Sequence, residues 1–132
     1  MVARQELVEQ DSFSTSVILV VEDDLDISLM LKSILEGFGL YRVILTANGF
    51  QAIELMRSVQ PDLFLFDYQL PGIDGLELYQ QLHAHRAFAT IPVLFLSANA
   101  PKDAFEKQHL FCLSKPFDLE DLLQKVDMLL TG

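Results

Sequence analysis

An α/β fold, a doubly wound parallel sheet of five strands with helices on both faces, is predicted by three features of this sequence. Short, nearly continuous aliphatic and aromatic runs recur along the chain, the mark of strands buried on both faces. Between them, apolar residues recur with the period of an amphipathic helix. Strand and helix alternate five times, and a helix between consecutive buried strands implies right-handed crossovers and a parallel sheet.

The elements follow in order. Residues 1 to 16 (MVARQELVEQDSFSTS) are polar and lack a clear period, so they read as an N-terminal arm or linker, and 17–132 as one domain. Val17 to Val21 is the first strand. Ile27, Met30, Leu31, Ile34, Leu35 and Phe38 then fall on one helical stripe, with Gly37 and Gly39 as its stop. YRVILTA (41–47) is the second strand. Asn48-Gly49 signals a turn, and Phe50, Ile53 and Met56 suggest a short helix that ends before Pro61. DLFLFD (62–67) is the third strand, and GLELYQQLHAHR (75–86) a helix with Leu76, Tyr79 and Leu82 on one side. IPVLFLS (91–97) is the fourth strand, PKDAFEKQ a helix of about two turns, and LFCLS (110–114) the fifth strand. Leu119, Leu122, Leu123, Val126, Leu129 and Leu130 mark the last helix, with Asp118 as its N-cap candidate.

Bulk composition excludes several classes. The 132 residues suit one domain with a real core, and 51% hydrophobic against 21% charged is ordinary for a globular chain. Nine Lys and Arg against 19 Asp and Glu give a formal net charge of -10. That disfavours direct nucleic-acid binding and anionic membranes, and favours a cation site or a basic partner. No apolar run is long enough for a transmembrane helix, and the N-terminus has no signal-peptide core. A single cysteine, Cys112, allows no internal disulfide and points to a reducing compartment, with cytoplasm the default.

In open α/β sheets, ligands sit at the carboxyl ends of the strands. Strand one ends in Glu22, Asp23 and Asp24; strand three in Asp67; strand four in Ser97; strand five in Ser114-Lys115-Pro116. Each alone has a plain explanation: acids favour helix N-termini, serines cap, and loop lysines are solvated. Together they place acids, a hydroxyl and an ammonium on one edge. Glu22, Asp23 and Asp67 in proximity would raise one another's pKa. A hard divalent cation relieves this, and Mg²⁺ takes carboxylate oxygens, waters and phosphate oxygens. A carboxylate is also a nucleophile toward phosphorus. Asp67 would attack, while Mg²⁺, Lys115 and Ser97 hold the charge of the phosphoryl oxygens.

With VVEDD, FDYQLPGIDG, FLSA and SKPF in these positions, the chain resembles the receiver domain of two-component response regulators, the CheY-like fold, from about Val17 to Leu130. The resemblance implies strand order 2-1-3-4-5. It implies that Asp67 accepts a phosphoryl group from a histidine kinase or histidine phosphotransfer protein. It also implies Mg²⁺ held by Glu22, Asp23, Asp67 and the Gln69 backbone carbonyl, with Ser97 as the switch hydroxyl and Lys115 paired to the phosphate. A cis bond at Lys115–Pro116 is expected on the same ground. The downstream effector and the oligomeric state are not implied.

Two departures stand out. The family's usual aromatic residue three positions before the lysine is Cys112 here, which reads as a small buried hydrophobe. Phe111 beside it faces the other way and cannot substitute. The stretch from Ser97 to Lys115 is also shorter than usual by about four residues, roughly a helical turn, so the fourth helix should be stubby, and the usual Gly-Ala turn before strand five is missing. His83, His85 and His109 read as solvated surface residues. Rival readings are weaker. A dehalogenase-type phosphatase needs an acid where Gln69 stands, and a flavodoxin-like nucleotide binder needs a Ser/Thr/Gly-rich loop where the chain is acidic. A pseudo-receiver that binds partners without phosphorylation is the remaining alternative, kept open by Cys112.

Overall fold

The computed structural model describes residues 15–37, 41–99 and 102–131. Residues 1–14 of the proposed arm, Phe38 and the Gly39 stop lie outside them, and Ser16, read as the end of the arm, is instead the first residue of the first strand. The elements are β1 (Ser16–Val21), α1 (Leu25–Glu36), β2 (Tyr41–Thr46), α2 (Gly49–Leu55), β3 (Leu63–Asp67), α3 (Gly75–His83), β4 (Val93–Ser97), α4 (Lys102–Lys107), β5 (Phe111–Ser114) and α5 (Leu119–Thr131). All strand pairs are parallel, in the order β2-β1-β3-β4-β5. The expected five-stranded, doubly wound fold is therefore present.

The period of two along each strand divides the core into two layers. Ile18 and Val20 of β1, Leu63 and Leu65 of β3, and Leu94 and Leu96 of β4 face α1 and α5, where Leu31, Leu35, Leu122 and Val126 meet them. Leu19, Val21, Phe64, Phe66 and Phe95 face the other way, toward Ala52, Leu78, Leu82 and Phe105 of α2, α3 and α4. Each fully buried Leu or Phe contributes roughly 1.5–3 kcal/mol. Burial on both faces explains why these strands read as unbroken apolar runs.

Several boundaries differ from the sequence reading. β4 starts at Val93 rather than Ile91, since Pro92 lacks an N–H for the ladder. It still offers its carbonyl to Phe64 N–H at 3.0 Å. α3 ends at His83 because His85 is extended (φ -86, ψ 128), and Arg86–Phe88 form a separate 3-10 turn. Its buried face is Gly75, Leu78 and Leu82, with Leu76 and Tyr79 only partly buried at its margin. On α1 the buried residues are Ser28, Leu31 and Leu35, whereas Met30 is exposed. Gly37 caps α1 in a right-handed conformation (φ -62), so it does not act as a left-handed stop. Asp118 accepts the first helical bond of α5 through its carbonyl, from Leu122 N–H at 3.0 Å. The fourth helix has six residues, as short as expected.

Candidate phosphoryl-acceptor site

The carboxyl edge of the sheet carries the site. In register, Val21 lies opposite Phe66, Asp67 opposite Leu96, and Ser97 opposite Ser114. Glu22 and Lys115 each follow a strand by one residue and are held by continued ladder bonds. Glu22 N–H donates to the Thr46 carbonyl at 3.0 Å, and Lys115 N–H to the Ser97 carbonyl at 2.8 Å. The Lys115–Pro116 peptide is cis, as expected.

Glu22 and Asp67 are buried, while Asp23 is exposed. Carboxylate oxygens of the three residues lie within 4.8 Å of one another, an arrangement able to hold a metal ion. Lys115 Nζ bridges the buried pair, 3.0 Å from Glu22 Oε1 and 3.3 Å from Asp67 Oδ2. The other oxygens take backbone donors: Glu22 Oε2 accepts from Asp24 N–H at 3.1 Å, and Asp67 Oδ1 from Gln69 N–H at 3.2 Å. A carboxylate has about four lone-pair sites, so both groups keep acceptor capacity toward the cleft. That cleft, of about 390 Å³, is lined by Glu22, Asp23, Asp24, Ile27, Asp67, Gln69, Ala98 and Lys115.

Electrostatics follow from this burial. Desolvation pushes Glu22 up to about 7, against the lowering effect of its bonds to Lys115 and Asp24, with the Asp67 charge adding to the rise. Desolvation also pulls on the Lys115 ammonium. Its bond to Glu22 and the charge of Asp67 outweigh that, and its pKa is raised. A cation site of hard oxygen donors fits Mg²⁺ better than a soft metal.

Most predicted residues converge. Glu22, Asp23, Asp67, Gln69 and Lys115 share the cleft. Ser97 is buried, its Oγ accepts Asn99 N–H at 3.0 Å, and Ala98 rather than Ser97 lines the cleft. Asp24, counted among the strand-end acids, is the N-cap of α1 and accepts from Asp26 and Ile27 N–H at 2.9 and 3.2 Å. Ser28 was not singled out in the sequence. Its buried hydroxyl donates to the Glu22 carbonyl at 3.2 Å, and its only signal was a polar residue on the Leu31–Leu35 stripe of α1. Cys112 is half-buried and packs with the Phe95–Phe105 layer, as expected of a small hydrophobe, while Phe111 on the opposite face is exposed. His85 and His109 are exposed. His83 is not simply solvated: its ring packs tilted against Tyr79 with centroids 4.2 Å apart, its Nε2 lies 2.9 Å from the Ile91 carbonyl oxygen, and burial lowers its pKa.

A doubly wound sheet with an acidic, lysine-bridged cleft at the carboxyl ends of its strands places the chain among the open α/β proteins whose ligand sites lie at that edge. Residues 18–127 match the response regulator receiver domain, and the chain belongs to that family. It is 36% identical over 117 residues to the DNA-binding dual master transcriptional regulator RpaA of Synechocystis, covering 86% of this chain and 48% of the regulator. It is 29% identical over 113 residues to sporulation initiation phosphotransferase F of Bacillus subtilis, covering 83% of this chain and 89% of that protein. Among solved structures, the receiver domain of a sensor histidine kinase from Pseudomonas aeruginosa, with a magnesium ion coordinated in its active site cleft, superposes with TM-score 0.79. It shares 29% identity and covers 89% of this chain and 99% of that one. The chain spans little more than half, or less, of the length of several curated relatives it matches. Among the described residues, no helix is long and apolar enough to cross a membrane.

Proposed function

We propose that this receiver domain accepts a phosphoryl group on Asp67 from a histidine kinase or histidine phosphotransfer protein and signals by a conformational change. The observation that carries the reading is the Lys115 bridge between two buried carboxylates beside a third, in one open cleft. A domain that only bound partners would have no use for three crowded acids, whose repulsion must be offset.

In this reading an Asp67 oxygen forms the new bond to phosphorus as the P–N bond to the donor imidazole breaks; the electron pair returns to that nitrogen, and the imidazole, already protonated on its other nitrogen, leaves neutral. Gln69 N–H orients the Asp67 carboxylate. Lys115, already 3.3 Å from Asp67, stays to pair with a phosphoryl oxygen. Mg²⁺, when bound by Glu22, Asp23, Asp67 and the Gln69 carbonyl, would supply positive charge to the transferring group. Ser97 is the switch hydroxyl, and its bond to Asn99 N–H would have to be exchanged for one to the phosphoryl group. No acid or base stands at Gln69 or Asn99, so the phosphorylated state is expected to decay spontaneously without strong catalysis, and the domain acts as a phosphoacceptor rather than a turnover enzyme. Cytoplasmic placement rests on the lone cysteine.

The test is intact-mass spectrometry after incubation with acetyl phosphate and Mg²⁺. The native chain gains one phosphoryl group and Asp67→Asn gains none. Labelling of Asp67→Asn would refute the assignment, and a native chain that never labels would favour the pseudo-receiver reading.

A further inference from the structure

Phe50 is 61% exposed although it stands in the first turn of α2. Its ring nevertheless has a tight contact. A Cβ placed on Gly72 would stand 2.7 Å from Phe50 Cε2, so the ring edge lies directly against that glycine. Gly72 has φ +83, which a side chain rarely adopts. The preceding residue, Gly49, is buried, and a Cβ there would stand 2.6 Å from both Cγ1 and Cδ1 of Ile73. Two successive residues of α2 therefore interlock with two successive residues of the β3–α3 loop.

The other end of that loop rests on the strand that carries Asp67. A Cβ on Gly75 would lie 2.5 Å from the Asp67 carbonyl oxygen, and Gly75 N–H donates to the Tyr68 carbonyl at 2.8 Å. Gln69 sits between these anchors, and its N–H holds Asp67 Oδ1. A loop closed at its base on its own strand and held at Gly72 and Ile73 by α2 leaves Gln69, between the two anchors, little freedom to drift.

We propose that Phe50 is a positioning residue for the acceptor site: its ring clamps Gly72, so that the β3–α3 loop keeps Gln69 against Asp67. The proposal rests on the reading of Asp67 as acceptor. Because the ring is mostly in solvent, its removal gives up little buried area. A purely structural role would leave Mg²⁺ dependence unchanged, whereas a loosened Gln69 would weaken Mg²⁺ binding, by up to about the tenfold lower bound seen when a direct partner of a ligand is lost.

The experiment measures three things for the native chain, Phe50→Ala, Phe50→Tyr, Gly72→Ala and Phe50→Ala/Gly72→Ala: melting temperature, Mg²⁺ affinity by calorimetry, and the Mg²⁺ concentration for half-maximal labelling by acetyl phosphate. Phe50→Ala is expected to raise that concentration roughly tenfold with a melting shift of only a few degrees, and Phe50→Tyr to restore it. Gly72→Ala should be less harmful in the Phe50→Ala background, where the ring it would strike is gone. An unchanged Mg²⁺ requirement in Phe50→Ala, or an equal effect of Gly72→Ala in both backgrounds, overturns the clamp while leaving the acceptor reading intact. A native chain that does not label at all overturns the acceptor reading, and the clamp with it.

Discussion

His109 illustrates what a single residue can do outside the site. It is left-handed (φ 58). Leu110 N–H donates back to the Phe105 carbonyl at 2.9 Å, and His109 N–H to the Glu106 carbonyl at 3.1 Å. That is the Schellman closure of α4, with a histidine where glycine is usual. A non-glycine residue in this region costs about 1 kcal/mol, so His109→Gly is expected to raise stability by up to roughly that amount in urea denaturation; a loss of stability would contradict it. Within the site, Glu22 sets the pH response. Its carboxyl sits at about 7 in the metal-free fold, above the ordinary 4.5. The fold therefore holds a proton that the unfolded chain has released, and Glu22 costs stability increasingly as pH rises from 4.5 through 7. A cation must displace that proton, so Mg²⁺ affinity measured by calorimetry should rise between about pH 6 and pH 8, and Glu22→Gln should flatten the rise. Asp67 and Lys115 were legible in the sequence because strand ends and their chemistry are local signals. The roles of His83 and His109 were not, since one depends on Tyr79 and the Ile91 carbonyl across a turn, and the other on a backbone angle.

At the level of elements, β2 lies at an edge of the sheet, and an open edge invites pairing with another chain. α1 covers part of it with side chains. Glu36 Oε2 accepts from Val43 N–H at 2.9 Å and from Lys32 Nζ at 2.9 Å, while Lys32 Nζ also donates to the Val43 carbonyl at 2.9 Å. The bond from Val43 N–H, then that from Lys32, holds the Glu36 carboxyl below its ordinary 4.5. Its contribution is present above 4.5 and is lost as pH falls through the lower folded value. Both side chains are more than a third exposed, so the solvent-screened contribution is about 1 kcal/mol. Glu36→Ala is expected to lose that much near neutral pH, and the difference from the native chain should shrink in denaturation series run progressively below pH 4.5. A difference independent of pH would mean that the charge is not involved. This clamp was invisible in the sequence, because it depends on α1 lying against the β2 edge. The strands were legible because burial on both faces leaves an unbroken apolar run. Helix faces were less so: Met30 and Phe50 fit the periodic pattern yet are exposed, whereas Ser28 and Gly49 broke it and are buried.

For the whole molecule, the parallel sheet brings one end of every βα unit to a single edge, and this converts scattered acids into one cleft. The acidic cluster was therefore open to reading from the strand ends, and the strand order from the family resemblance, while the lysine bridge and the α2 contact needed the packed fold. The face formed by α4, β5 and α5 is reduced in this chain. α4 is six residues long, and Cys112 offers no ring beside it. A symmetric dimer needs its full patch on both copies, so phosphorylation should not drive tight self-association through α4, β5 and α5. Sedimentation with and without beryllofluoride is expected to show no tight dimer through this face; one that forms only with beryllofluoride and buries it would contradict the expectation. The central claim remains the acceptor itself, and borohydride trapping tests it most directly. An aspartyl phosphate is reduced to homoserine, which peptide mass mapping locates. After acetyl phosphate, Mg²⁺ and borohydride, homoserine is expected at position 67 and nowhere else; homoserine at Asp23, Asp24 or any other acid, with Asp67 intact, would contradict the account.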